Sequence, residues 1–153
     1  MPAHKHVPYL LATSNDMAHS WNLTVGPLQL LSARPRALVL VNGALLLSGG
    51  RPGLSLWASA DGFGKTWEKY DIPAEHNKLI NKPDHKFCDT FVNASMHPYT
   101  VHGAQSSAYT AIVPLANEYG LVCYGKSYGS GDGKACEVKG SQVFCLRFRA
   151  AAT

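Results

Sequence analysis

Long apolar runs are missing from this sequence. Nothing approaches the roughly 18 to 20 consecutive apolar residues that a membrane-crossing helix needs, and the longest run, Ala37 to Leu47, is interrupted by Asn42-Gly43. No membrane span is expected. Charge is also sparse: charged side chains make up 16% of the chain, and 14 Lys and Arg against 10 Asp and Glu leave a net +4. The basic residues are scattered, with no basic stripe interleaved with aromatics, so nucleic acid is not an expected partner. The small positive balance favours anionic ligands slightly and otherwise describes a solvated surface.

Cysteine is present only four times, at 88, 123, 136 and 145, with no CxxC spacing and no adjacent His pair. That excludes the usual structural zinc patterns, and no metal site is suggested. Cys136 and Cys145 are spaced to bridge two arms of a loop. The other reading keeps all four reduced, with Cys123 and Cys145 as small core residues of alternating strands. Sustained helical periodicity is lacking too. What remains, 46% apolar with 14 Gly and 9 Pro, is the composition of a turn-rich, globular β protein.

The turns carry the strongest signal. Ser59-Ala60-Asp61-Gly62-Phe63-Gly64-Lys65-Thr66-Trp67 reads as the tip of a hairpin. Asp61 can accept hydrogen bonds from the backbone of its own turn, Gly64 supplies positive φ, Thr66 adds a second local bond, and Trp67 can pack beneath as a plug. Forty-five residues earlier the arrangement recurs as Ser14-Asn15-Asp16-Met17-Ala18-His19-Ser20-Trp21. A period of about 40 to 50 residues predicts propeller blades of four strands.

The two copies resemble the Asp-box of the sialidase (neuraminidase) superfamily, whose pattern is Ser-x-Asp-x-Gly-x-Thr-Trp. Ala18 stands for the glycine and Ser20 for the threonine in the first copy, and the second carries one extra residue before Gly64. The resemblance implies an all-β, six-bladed propeller. Closed propellers need about four to eight blades of roughly 45 residues, and this chain has material for about three. The expectation is therefore a C-terminal portion, with the missing blades before Met1. Residues 1–32 read as the second half of a blade and 33–72 as a complete blade, in which Ala37-Val41 and Ala44-Ser48 flank an Asn-Gly hairpin and are buried on both faces. A long loop is expected over 73–104, with a short extended piece near Phe87, and a last blade over 105–153. On Gln142 to Arg149, Val143, Cys145, Arg147 and Arg149 share one face, leaving Phe144, Leu146 and Phe148 on the other.

Site residues follow from the same resemblance. Gly50-Arg51-Pro52-Gly53-Leu54 looks like the sialidase segment bearing the third arginine of its triad, and Ala108-Tyr109-Thr110-Ala111-Ile112 like the segment bearing the nucleophilic tyrosine. Strand parity puts both on the rim opposite the Asp-boxes. A planar guanidinium at Arg51 suits the carboxylate of sialic acid. A neutral phenol at Tyr109 is a better nucleophile beside that carboxylate than a second carboxylate would be. The implied substrate is a sialylated glycan or another anionic sugar, and the mechanism the resemblance implies is retaining, with neither a metal nor an organic cofactor. The family's acid/base aspartate, tyrosine-partnered glutamate and remaining arginines would come from earlier blades, so the chain alone is expected to be inert. The alternative is a non-catalytic Asp-box propeller that binds glycan or protein. Ser14, Asp16, Trp21, Ser59, Asp61, Gly64, Thr66 and Trp67 are read as structural, as are Arg34, Arg36 and Trp57. The histidines 85, 97 and 102 are read as exposed loop residues.

Overall fold

The computed structural model describes residues 9–26, 30, 32–50, 53–87, 106–126 and 142–150. The chain divides into two compact units, Met1–Leu31 and Ser32–Thr153. Its described part is mostly β, in three separate antiparallel sheets, and no ring or barrel closes among the described residues.

The first unit holds the ribbon of β1 (Leu10–Thr13) and β2 (Asn22–Val25), joined through the first Asp-box turn. In the second unit, β3 (Ala33–Val39), β4 (Leu45–Gly50), β5 (Leu54–Ser59) and β6 (Glu68–Asp71) form a meander in that order. A second meander joins β7 (Ser106–Pro114), β8 (Tyr119–Lys126) and β9 (Gln142–Arg149). The Asn42-Gly43 tip closes β3 onto β4, with Gly43 at φ 85 and Leu40 N–H donating to Ala44 O at 2.9 Å. Glycine takes that left-handed position without the Cβ penalty.

Two strand readings change. Residues 37–41 were expected to be buried on both faces, yet Val39 is 59% and Val41 83% exposed. β3 is the edge strand of its meander and has β4 as its strand partner there, so the apolar run is covered less than its composition suggests. The expected long loop opens instead with a helix, α1 (Ile72–Leu79), and a 3-10 turn at Pro83–His85. Asp71 is its N-cap, accepting from Ala74 N–H at 2.8 Å, and Pro73 occupies the first turn, where its missing N–H costs nothing.

The two meanders pack through Leu54 and Leu56 of β5 against Val122 and Tyr124 of β8, joined by Ile72 and Phe87, with Phe144, Leu146 and Phe148 of β9 lying half-buried alongside. β9 alternates as the sequence predicts, its even-numbered residues turned inward and its odd-numbered ones outward. α1 and the 3-10 turn are pinned to β8 by buried polar groups. His76, fully buried, bonds Tyr124 Oη at 2.8 Å and the His85 carbonyl at 2.9 Å. Lys126 Nζ, also buried, donates to the carbonyls of Asp84 and Lys86. Burial holds the His76 imidazole and the Lys126 amine below their ordinary pKa values and pushes the Tyr124 phenol up.

The disulfide joins Cys123 to Cys145, register partners on β8 and β9 with Cα atoms 4.1 Å apart. Cys145 is thus committed to Cys123 rather than to Cys136, which lies outside the described residues. Antiparallel pairing brings the two Cβ atoms together on one face, a proximity that loop spacing does not reveal.

Candidate functional site

Both Asp-box turns are built around a carboxylate. Asp61 Oδ1 accepts from Ser59 Oγ at 3.0 Å and Phe63 N–H at 2.7 Å, and Oδ2 from Thr66 N–H at 3.0 Å and Thr66 Oγ1 at 2.9 Å. Desolvation raises its pKa, but these donors outweigh it and hold the carboxyl well below the usual range. In the first turn Ser20 donates twice to Asp16, from N–H at 2.9 Å and Oγ at 2.6 Å, and Ser14 Oγ adds a third bond at 2.8 Å. The Ser20 hydroxyl leads in lowering Asp16 to about 2. Ala18 N–H donates to Ser14 Oγ as Gly64 N–H does to Ser59 Oγ, and Ala18 takes φ 70 where Gly64 takes φ 74. Trp67 is half-buried with its indole N–H on Gly64 O at 2.8 Å. Trp21 is 56% exposed, because a two-stranded ribbon offers its ring little to pack on. These turns use their polar groups on themselves.

The opposite end of the meanders is chemically different. Ala33 and Leu54 both pair with Gly50, so the start of β3 and the β4–β5 connection share one end. The Asp61 turn follows Ser59, which pairs with Leu45 beside the Asn42-Gly43 tip, at the other end. β7 is aligned with these by Ser48 Oγ and Thr110 Oγ1, which share a buried hydrogen bond of 2.8 Å, and by Asn42 Nδ2 donating to Ala150 O at 2.7 Å beyond β9. Tyr109 therefore lies at the same end as the connection carrying Arg51 and away from the Asp61 turn. Arg51 itself, with Pro52, lies outside the described residues, as do His97 and His102. His85 lies in the 3-10 turn against α1, its carbonyl engaged by His76.

Two strand irregularities shape this rim. The β3–β4 register slips between Ala33 and Arg36, and the β7–β8 register between Ser106 and Thr110. Bulges of this kind re-aim side chains and are common beside active sites. The first puts Arg34 at φ 53, in the left-handed region that non-glycine residues rarely occupy. Its guanidinium carbon then stands over the Tyr109 ring, 4.7 Å from the centroid. Tyr109 is 49% exposed and Arg34 is exposed as well, so the phenol is open to solvent with a cation on its face.

Arg34 was read from the sequence as structural. Its companionship with Tyr109 depends on two bulges and a separation of 75 positions, and the lone signal in the chain is the Pro35 that follows it and disturbs the strand. Elsewhere, a groove of about 560 Å³ between the outer strands is lined by Leu46, Leu56, Trp67, Tyr70, Phe148 and Arg149. Partial burial pushes the Tyr70 phenol up to about 12, aided by its bond to Glu68. Among the described residues no cluster of His, Cys, Asp and Glu is arranged to hold a metal, and no helix is long and apolar enough to cross a membrane.

No family model, curated protein or solved structure matches this chain.

Proposed function

We propose that the chain is part of a sialidase-type propeller, whose complete ring removes terminal sialic acid from glycans by a retaining mechanism. The observation that carries this reading is the exposed Tyr109 phenol, set beside a cation at the bulged end of the sheets, opposite the Asp61 turn. Tyr109 Oη attacks the anomeric carbon as the glycosidic C–O bond breaks, giving a tyrosyl glycoside that water then hydrolyses. A neutral phenol suits this step because the substrate's own carboxylate sits on the reacting carbon. Arg51 is assigned to that carboxylate. The proton donor for the leaving oxygen and the base for the phenol belong to further blades, so hydrolysis requires the complete ring. The test is turnover of a fluorogenic sialoside by the complete protein. Tyr109→Phe should lower it by several orders of magnitude, and undiminished turnover removes the nucleophile assignment.

A second reading is favoured by the aromatic groove at the Asp61 end. Trp67, Tyr70 and Phe148 with Arg149 make a surface on which a sugar ring can stack while its hydroxyls meet a charged group. In that case the propeller binds glycan without cleaving it. Loss of glycan binding in Trp67→Ala, with Tyr109→Phe unaffected, would favour this alternative.

A further inference from the structure

Asn22-Leu23-Thr24 has the form of an acceptor for N-linked glycan, with no proline at 23 or 25. The triplet by itself is a common pattern, and three observations give it weight here. The first is access. Asn22 and Thr24 are both exposed in β2, within a local ribbon whose strands pair Leu10 to Thr13 with Val25 to Asn22, so closing the ribbon does not cover them. The second is chemistry. Asn42 and Asn77 donate their side-chain amides to Ala150 O and Phe87 O at 2.7 Å each, whereas the Asn22 side-chain amide has no partner among the described residues. Side chains two positions apart on a strand point to the same face. The Thr24 hydroxyl that the transfer requires is therefore on the same side as the Asn22 amide, and its own contact, with Leu11 O, is a long one at 3.5 Å. The third is environment. The chain holds the Cys123–Cys145 bridge, and disulfides persist in oxidising compartments and are rare in the cytosol. The lumen in which secreted chains form disulfides is also where oligosaccharide is transferred to asparagine.

From these observations we infer that Asn22 carries an N-linked oligosaccharide. The co-substrate is a lipid-pyrophosphate-linked oligosaccharide. Asn22 Nδ2 attacks C1 of its first sugar, the C1–O bond to phosphate breaks, the lipid pyrophosphate leaves, and the amide proton passes to a base of the transferase. Register gives the glycan a consequence for the ribbon. Thr13, Leu11 and Thr24 share the Asn22 face, while Leu10, Ala12, Leu23 and Val25 share the other. On that second face Leu10, Leu23 and Val25 are 67%, 68% and 67% exposed. A glycan at Asn22 holds the first face in water and leaves the apolar one as the face free to be covered, which a two-stranded ribbon needs for its stability. The site depends neither on the reading of Tyr109 nor on that of the aromatic groove.

The experiment is glycan mapping by mass spectrometry, on wild type recovered from the cells that make it and on wild type and variants of the full chain secreted by eukaryotic cells. Peptide N-glycanase in heavy-oxygen water should lower the mass of the intact chain and leave a heavy-oxygen aspartate at position 22 in most molecules. Asn22→Gln and Thr24→Ala should each abolish that mark. Thr24→Ser, which keeps the hydroxyl, should retain it at lower occupancy, and Asn93→Gln should leave it unchanged. The mapping of wild type needs no variant, so a misfolded variant does not obscure the result. Unmodified Asn22 in either wild-type preparation overturns the site, as does a glycan that persists at Asn22 in Thr24→Ala. Cys123 and Cys145 recovered as reduced thiols from the cells that make the protein would remove the compartment on which the inference stands and overturn it too.

Discussion

The guanidinium carbon of Arg34 stands 4.7 Å from the centre of the Tyr109 ring, and each residue reaches that position from a register slip rather than from regular strand pairing. Relaxing the backbone and losing the stack have opposite signs. Arg34→Gly should consequently leave unfolding free energy within about 1 kcal/mol of wild type, while Arg34→Val, β-branched at positive φ, should lose more. Urea unfolding of the two variants measures the difference; equal losses would mean that the positive φ is not what governs this position.

His76 sets a pH limit. Burial depresses its pKa, and Tyr124 Oη and the His85 carbonyl occupy its two nitrogens. The unfolded imidazole therefore binds a proton first, at about pH 6.5. Stability is full above that value and declines as pH falls through it toward the lower folded pKa. A Tm series from pH 8 to 5 should show this decline, and His76→Gln should flatten it while lowering Tm at pH 8.

The Asp-box carboxylates act in a separate, more acidic window. Asp16, held at about 2, and Asp61, held lower than usual, keep their contribution above the unfolded carboxylate value of about 3.9 and lose it as pH falls toward 2. Asp61→Asn should reduce Tm at pH 7 and weaken its pH dependence between 4 and 2. An unchanged acid profile in that variant would show that the turn does not depend on the charge.

The Cys123–Cys145 bridge closes a span of 22 residues. Chain-entropy reasoning gives about 3 kcal/mol for a loop of that size, so reduction, or Cys123→Ser with Cys145→Ser, should lower the unfolding free energy by about that amount. Thiol titration of the unfolded, unreduced chain checks the pairing, since Cys123 and Cys145 should be unreactive until reductant is added.

The buried hydroxyl pair Ser48 and Thr110 joins the two meanders in the second unit. Ser48→Ala and Thr110→Val each leave one hydroxyl without its partner and should cost about 1–3 kcal/mol. The double variant should cost less than the sum by at least about 0.5 kcal/mol. Strict additivity would mean that the bond does not couple the sheets.

Much of the second unit was legible in the chain because its signals are local. Asn42-Gly43 marks a hairpin, Gln142 to Arg149 alternates with period two, and each Asp-box carries its own donors within five positions. The helix was missed because two turns leave no room for a periodic apolar stripe, although Asp71-Ile72-Pro73 followed by Glu75 is a start signal. Arg34 beside Tyr109, His76 on Tyr124 and Lys126 on the 83–87 turn could not be read, because each depends on contacts across 40 or more positions that only packing creates. The same holds for Cys123 with Cys145, where register rather than spacing decides the partner.

Asn42, at the tip of one hairpin, grips the carbonyl of Ala150, 108 positions later. Strands within each sheet are close in sequence, so each meander can assemble as it leaves the ribosome. This clasp has to wait until Ala150 has been synthesised. Until β8 has been made, the face of β5 around Leu56 lacks Val122 and Tyr124, the residues it packs on in the finished core, and nascent chains pass through a stage in which that surface is open to other apolar segments.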